Sequence, residues 1–337
     1  MKILLLGLGR VARRMLEMLA EGRADRESLL APRVEIAGIF TANHGYRLPQ
    51  HPEPVEEVLA ALSQGRLLDS GRRQDPFQAI AHADYQVLVE LTTLCIEEEG
   101  RPAADYVRAA LSAGRHAVTA NKGPMAFQGA DLLRLARRRG RFLRFESTVM
   151  DGAPVFSLAR CGLRGCRIEG VSGILNSTTN FILCAMEEGA SLEEALGEAR
   201  RSGFAEADAS HDLQGWDAAC KMAVLANALM GVDLHPRSVR REVLDASMGQ
   251  RAREIRRRGE RLRLVSRLRR RRDRVAGEVR LRRLEADDPM ARVPGPGGLL
   301  RLETDCMGPI LITQQAPTLD DTAYGVINDL LEIAGAR

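Results

Sequence analysis

The residues best suited to chemistry lie in one stretch near the middle of the chain. Ala205-Glu206-Ala207-Asp208-Ala209-Ser210-His211-Asp212 leads into Leu213-Gln214-Gly215-Trp216-Asp217-Ala218-Ala219-Cys220-Lys221. Helical periodicity starts at Leu213, with Asp212 placed to cap it. Asp217 and Lys221 are four residues apart and share a helix face. On a surface such a pair is worth about 0.3 kcal/mol. Here the flanks (Trp216, Ala218, Ala219, Cys220, Met222, Ala223) are apolar nearly all round, which predicts a buried helix. A buried carboxylate–ammonium pair is costly unless it is well satisfied or used. Its natural use is proton transfer, because a buried lysine can exchange a proton where arginine cannot.

Lysine is also scarce. The chain has three, Lys2, Lys122 and Lys221, against 46 arginines. Lys122 follows the apolar strand Ala117-Val118-Thr119-Ala120 directly after Asn121. That is the end of a strand at which α/β proteins bind ligands.

A third set of residues reads as a nucleotide turn. The strand Lys2–Leu6 runs into Gly7-Leu8-Gly9-Arg10-Val11-Ala12 and then into a helical pattern. Gly7 permits the tight turn, Gly9 lets backbone approach a pyrophosphate, and Ala12 allows close helix–strand packing. The helix N-terminus then faces the phosphates. The second strand, Val34–Phe40, is followed by Thr41-Ala42-Asn43-His44, with no acidic residue to hold a ribose 2′-hydroxyl and with Arg47 close by. That leans toward NADP over NAD. Gln86–Leu91 reads as a buried parallel strand ending at Thr92-Thr93, and Ala103–Ala113 as a helix.

These pieces alternate as βαβαβ and predict an α/β fold, with an N-terminal Rossmann-type doubly wound parallel sheet. Gly7–Ala12, Thr92-Thr93 and Asn121-Lys122 should then meet in one crevice at the strand ends. An α+β substrate domain follows. Its strand from Gly170 runs into Asn176-Ser177-Thr178-Thr179-Asn180, five adjacent polar side chains that suggest a ligand-gripping turn. The expected domains are 1–148 for nucleotide, 149–304 for substrate, and 305–337 for a segment that returns to the nucleotide domain, including a helix over Asp320–Ala334.

The 337 residues carry 45% hydrophobic and 28% charged side chains and a net charge of +4. These values exclude disordered and collagen-like chains. No apolar run approaches the ~18 residues of a membrane span, and Met1–Gly9 lacks the form of a signal peptide. Cys95, Cys161, Cys166, Cys184, Cys220 and Cys306 form no CxxC pair; they read as reduced, mostly buried thiols of a cytoplasmic protein. The arginine-rich stretch Arg251–Arg274 raises a nucleic-acid reading. Alternation in Arg261–Val265 and Gly277–Leu284, with no aromatic residue to stack on bases, points instead to strands with one face in water joined by a loop over Arg269–Ala276. No nucleic acid and no membrane partner is expected.

Val118–Lys122, Gly173–Leu183 and the Ala205–Lys221 segment together resemble the homoserine dehydrogenase family. The spacing Glu206, Asp212, Asp217, Lys221 is the specific part. The resemblance implies NAD(P)-dependent interconversion of L-homoserine and L-aspartate 4-semialdehyde on the route to threonine and methionine, and a homodimer. By position it implies Lys221 as proton donor, Asp217 as its partner and Lys122 beside cofactor and substrate. Thr178, Glu206 and Asp212 would bind the amino-acid substrate. Gly7, Leu8, Gly9, Arg10, Val11, Ala12, Thr92, Thr93, Lys122 and Thr322 would line the cofactor. In some members a sodium ion binds at the segment matching Glu146 and Val149; here Met150-Asp151 replaces the usual glycines. Ser177 replaces another glycine, and Gln314–Asp321 replaces a glycine-rich turn. These departures leave open a related oxidoreductase for another amino-acid semialdehyde. A non-catalytic cofactor-binding protein on the same fold is the other alternative, and the retention of both lysines speaks against it.

Overall fold

The computed structural model describes residues 1–22, 34–65, 75–203, 205, 208–272 and 274–335. The chain forms two compact units, Met1–Phe156 with Thr318–Arg337, and Ser157–Pro317.

In the first unit the elements run β1 (Lys2–Leu6), α1 (Arg10–Ala20), β2 (Glu35–Phe40), β3 (Tyr46–Arg47), β4 (Glu53–Pro54), α2 (Val55–Ser63), α3 (Pro76–His82), β5 (Val87–Glu90), α4 (Ala103–Ser112), β6 (His116–Thr119), α5 (Lys122–Arg139) and β7 (Leu143–Arg144). The sheet order is β3-β2-β1-β5-β6-β7, and β4 also pairs with β2. The strands β2, β1, β5, β6 and β7 are parallel. The short β3 and β4 run antiparallel to β2. The order reverses between β1 and β5, which makes this the switch point where α/β sheets bind ligands. Every residue of β5 is buried, as expected of a parallel strand covered on both faces.

The C-terminal helix, Leu319–Gly335, belongs to this unit. Its Val326, Ile327 and Leu330 join Met15 and Leu16 of α1 in one core. Arg14 of α1 clamps Asp320 with two bonds, at 2.6 and 3.0 Å. Residues 149–156, expected in the substrate domain, stay with the first unit because Gly152 lies flat against this helix. A Cβ there would stand 2.1 Å from the Asp321 carbonyl oxygen.

The second unit starts within α6 (Val155–Gly162) and continues through β8 (Ile168–Ile174), α7 (Ser177–Glu187), α8 (Leu192–Arg201), α9 (Ser210–Leu213), α10 (Trp216–Leu229), β9 (Arg240–Arg241), α11 (Met248–Arg257), β10 (Arg261–Arg271), β11 (Arg274–Leu284), β12 (Gly298–Thr304) and β13 (Ile310–Gln314). Its sheet has the order β13-β12-β8-β10-β11-β9. Residues 305–317, expected to return to the nucleotide domain, remain here because β13 pairs with β12 along five residues. Residues 305–309 are therefore a hairpin turn and Ile310–Gln314 its second arm.

Two expectations for the arginine-rich region are corrected. The loop expected over Arg269–Ala276 is strand at both its ends: Arg269 pairs with Ala276, Arg270 with Val275 and Arg271 with Arg274. Long charged side chains are no obstacle where they stand off an exposed face, as at Arg269 and Arg271. Nor does β10 keep one face in water. It is a central strand, and Leu262–Ser266 is buried throughout. Arg263 is 3% exposed and binds Glu187 of α7 at 2.8 Å, with further bonds to the Leu262 and Ala291 carbonyls. The cysteines also differ from expectation. All six are free, but of these Cys220 alone is buried, while Cys161 and Cys306 are exposed. Among the described residues no helix is long and apolar enough to cross a membrane.

Removing one partner of a buried ion pair strands the other charge. Glu187→Ala should therefore lower stability by about 3–5 kcal/mol, measured by urea unfolding of the whole chain.

Candidate active site

Residues expected to serve the cofactor lie along the switch-point edge of the first sheet. Gly7 ends β1 with φ +91°, and a Cβ on it would stand 2.5 Å from the Leu91 oxygen and 2.9 Å from the Thr92 nitrogen. Only glycine fits this approach of β1 to the end of β5. Gly9 is the N-cap of α1 and gives no side-chain cap. A Cβ there would meet nothing within 4 Å. The backbone at the start of α1 is therefore not crowded beside Gly9, at a helix end whose first N–H groups are the kind that suit a phosphate. Leu8 and Val11 pack partly against the core, Ala12 is fully buried in it, and Arg10 is exposed.

Thr92 and Thr93 join this edge through a buried carboxyl that sequence reasoning missed. Glu90 ends β5 with no exposed surface. It accepts from the Thr92 N–H at 2.8 Å and the Thr119 hydroxyl at 2.7 Å. Burial pushes its carboxyl above the ordinary range, against the pull of hydrogen bonds from Thr92, Thr119 and Asn121. Asn121 Nδ2 reaches the Thr92 hydroxyl at 3.5 Å and the Thr93 carbonyl at 3.4 Å. Its Oδ1 caps α5 by accepting from Gly123 N–H. Lys122, the first residue of α5, is thereby held at the end of β6, half-buried. The signal for Glu90 was present: one carboxylate closing an otherwise apolar strand.

Thr322 sits in the first turn of the C-terminal helix. Its carbonyl accepts from Ser147 at 2.8 Å, and its hydroxyl donates to Asp151 at 3.1 Å. Arg47, which favoured NADP, holds Glu53 with two bonds, at 2.6 and 2.5 Å. The residues matching the sodium segment are engaged within the first unit. Glu146 Oε1 already accepts from the Phe156 N–H at 2.6 Å. Asp151 holds Thr322, and Val149 and Met150 are buried.

Residues expected to act on substrate gather in the second unit at the end of β8. Asp212 does not cap a long helix from Leu213. It lies inside the short α9, and Gly215, with φ +72°, breaks the chain before α10 starts at Trp216. A left-handed residue is easy for glycine and ends the first helical run. The turn redirects the chain so that Asp212 and Asp217 flank one amide. Asn176 Nδ2 donates to Asp212 Oδ1 at 2.7 Å and to Asp217 Oδ2 at 2.9 Å. Its Oδ1 caps α7 by accepting from Thr179 N–H at 2.8 Å. Lys221 Nζ donates to the Leu175 carbonyl at 2.7 Å and lies 3.2 Å from Asp217 Oδ2. Thr178 donates to Asp212.

Asp212 is held above the usual carboxylate range, first by burial and then by the Asp217 charge; Asn176, Lys221 and Thr178 act in the opposite sense. Two carboxylates against one ammonium make a cluster with a surplus of negative charge, suited to a ligand that brings a positive one. Of the five polar residues in the turn, Asn176 and Thr178 serve this cluster. Asn180 turns away to the Gly295 carbonyl at 2.8 Å. Glu206 lies outside the described residues.

Asn176→Ala removes a helix cap worth about 1 kcal/mol and leaves two carboxylates facing each other. Asn176→Asp keeps the cap acceptor but adds a third carboxylate. Its loss of stability should grow as pH rises from the acid range to neutrality, read from urea midpoints across pH; a flat profile would remove Asn176 from its place between the two acids.

The arrangement matches a known family. The family model for homoserine dehydrogenase matches residues 154–331, and that for the homoserine dehydrogenase NAD-binding domain matches residues 7–146. The chain is 31% identical to the NAD(+)-dependent homoserine dehydrogenase of Pseudomonas canavaninivorans, covering 98% of this chain and 96% of that protein. It is 30% identical to the homoserine dehydrogenase of Sulfurisphaera tokodaii, covering 98% of each. The solved structure of a hyperthermophilic archaeal homoserine dehydrogenase in complex with NADPH superposes with a TM-score of 0.81 at 25% identity, covering 100% of this chain and 98% of that one. With both units matched and the lysine–carboxylate cluster in place, the chain belongs to the homoserine dehydrogenase family of oxidoreductases.

Proposed function

We propose that this chain interconverts L-homoserine and L-aspartate 4-semialdehyde, with Lys221 exchanging the proton on the reacting oxygen. The observation that carries this reading is the Lys221 ammonium, half-buried and fixed between the Leu175 carbonyl and Asp217. The nicotinamide cofactor supplies or accepts the hydride when bound. Gly7–Ala12, Thr92, Thr93 and Thr322 hold that cofactor on the first unit. Lys221 gives its proton to the aldehyde oxygen in reduction and takes it back in oxidation. Asp217 keeps the ammonium in place. Asp212, with Glu206, binds the substrate ammonium, and Thr178 binds its polar end. Lys122 acts as the second catalytic lysine from the first turn of α5. No step is assigned to sodium.

Six free cysteines support residence in the reducing cytoplasm. A homodimer formed through the second unit is supported by its edge strand, where Leu311 is 45% exposed, and by the adjoining Met307.

Lys221→Ala should reduce turnover of homoserine by about 10²–10⁴-fold while leaving nucleotide binding unchanged. Lys221→Arg should not restore it, because guanidinium does not release a proton at working pH. Absorbance of the reduced nicotinamide reads both, and an active Lys221→Ala would end this assignment.

The raised pKa of Asp212 has a second consequence. The carboxyl stays neutral to a higher pH than usual, yet must be ionised to bind an ammonium. The KM for homoserine should therefore fall as pH rises through the Asp212 ionisation and then level off. Asp212→Asn should raise KM and abolish that dependence in a pH series of initial rates.

A further inference from the structure

The carboxyl end of β2 is where a Rossmann-type sheet separates NAD from NADP, because the 2′ position of the adenosine ribose lies there. In this chain that end is tightly closed. Thr41 N–H and its hydroxyl both donate to the Gly45 carbonyl, at 3.0 and 2.8 Å, and His44 N–H donates to the Thr41 hydroxyl at 2.9 Å. The nearby guanidinium belongs to Arg47 on β3, which stands opposite Ile39. A free arginine there would be well placed to take a phosphate with its planar fork.

The fork is already occupied. Arg47 Nε and Nη2 bond the two oxygens of Glu53 at 2.6 and 2.5 Å. Glu53 stands opposite Ile36, three residues back along β2. The pair therefore draws the guanidinium along the strand, away from the edge at which the dinucleotide binds. Glu57 of α2 adds a second negative charge near the same arginine. A 2′-phosphate would have to break a two-bond ion pair and then face two carboxylates, whereas a 2′-hydroxyl meets neither cost.

We infer that the Arg47–Glu53 ion pair withholds this guanidinium from the cofactor and makes the chain prefer NAD(H) to NADP(H). The inference rests on the dehydrogenase reading above and assigns Glu53 as the residue that sets its cofactor choice.

The test is binding of NADH and of NADPH to the whole chain by titration calorimetry, which needs no turnover. The unaltered protein should bind NADH roughly tenfold more tightly than NADPH. Glu53→Gln should tighten NADPH roughly tenfold and move NADH by less than about threefold. Arg47→Gln should leave the unaltered preference in place, because Arg47 does not touch the cofactor; combined with Glu53→Gln it should cancel the gain. Tighter NADPH than NADH in the unaltered chain, or NADPH weakened roughly tenfold by Arg47→Gln alone, overturns the inference without needing a folded Glu53 variant. Binding of both nucleotides with a ratio unmoved by Glu53→Gln overturns it as well. If neither nucleotide binds, the dehydrogenase reading falls and this inference falls with it.

Discussion

A half-buried ammonium inside an apolar helix is stable only if polar partners hold it, and in this chain they do. Lys221 is anchored by a main-chain carbonyl at the end of β8 and by Asp217 one helical turn earlier. Asp217 in turn needs the Asn176 amide, which it shares with Asp212. One asparagine therefore does three things: it starts α7, separates two acids and orients the carboxylate beside the lysine. The cost of burying charge in α10 is offset by hydrogen bonds rather than by solvent. Because the anchors come from a strand end and a helix start, the ammonium is carried on rigid elements.

The first unit solves a related problem at its own strand ends. Gly7 brings β1 against the Leu91–Thr92 backbone so closely that no side chain fits. Behind that edge Glu90 is sealed from water and satisfied by hydroxyl and amide donors. A buried carboxyl that accepts from donors on two strand ends ties those ends together. The Glu90 network links β5 to the residues before Lys122, so the phosphate turn and the lysine-bearing helix share one support.

Arginine is used here in ways that abundance alone does not reveal. Arg14 ties the C-terminal helix to α1, Arg263 is sunk beside Glu187 in the second sheet, and Arg47 is locked to Glu53. On β11, by contrast, Arg280 and Arg282 stand in water while Val279 and Leu281 face inward. Identical residue types in neighbouring strands have opposite fates, because β10 is central and covered while β11 keeps an open face.

Much of this protein was legible in its sequence. The parallel strands announced themselves as short apolar runs, the nucleotide turn by its glycines after a strand, and the buried helix α10 by its lack of a polar face. These features depend on local chain geometry and on periodic burial, both of which are written along the chain. The pairing of Asp217 with Lys221 was legible for the same reason, being one helical turn. The partners that come from far along the chain were not. Asn176 reaches Asp217 across 41 residues, and Glu187 reaches Arg263 across 76. Arg47 looked available to a phosphate until β4 brought Glu53 beside it on β2. Local periodicity says which side of an element faces inward; only the packed structure decides which charge meets which, because that depends on sheet order, register and the turns that set them.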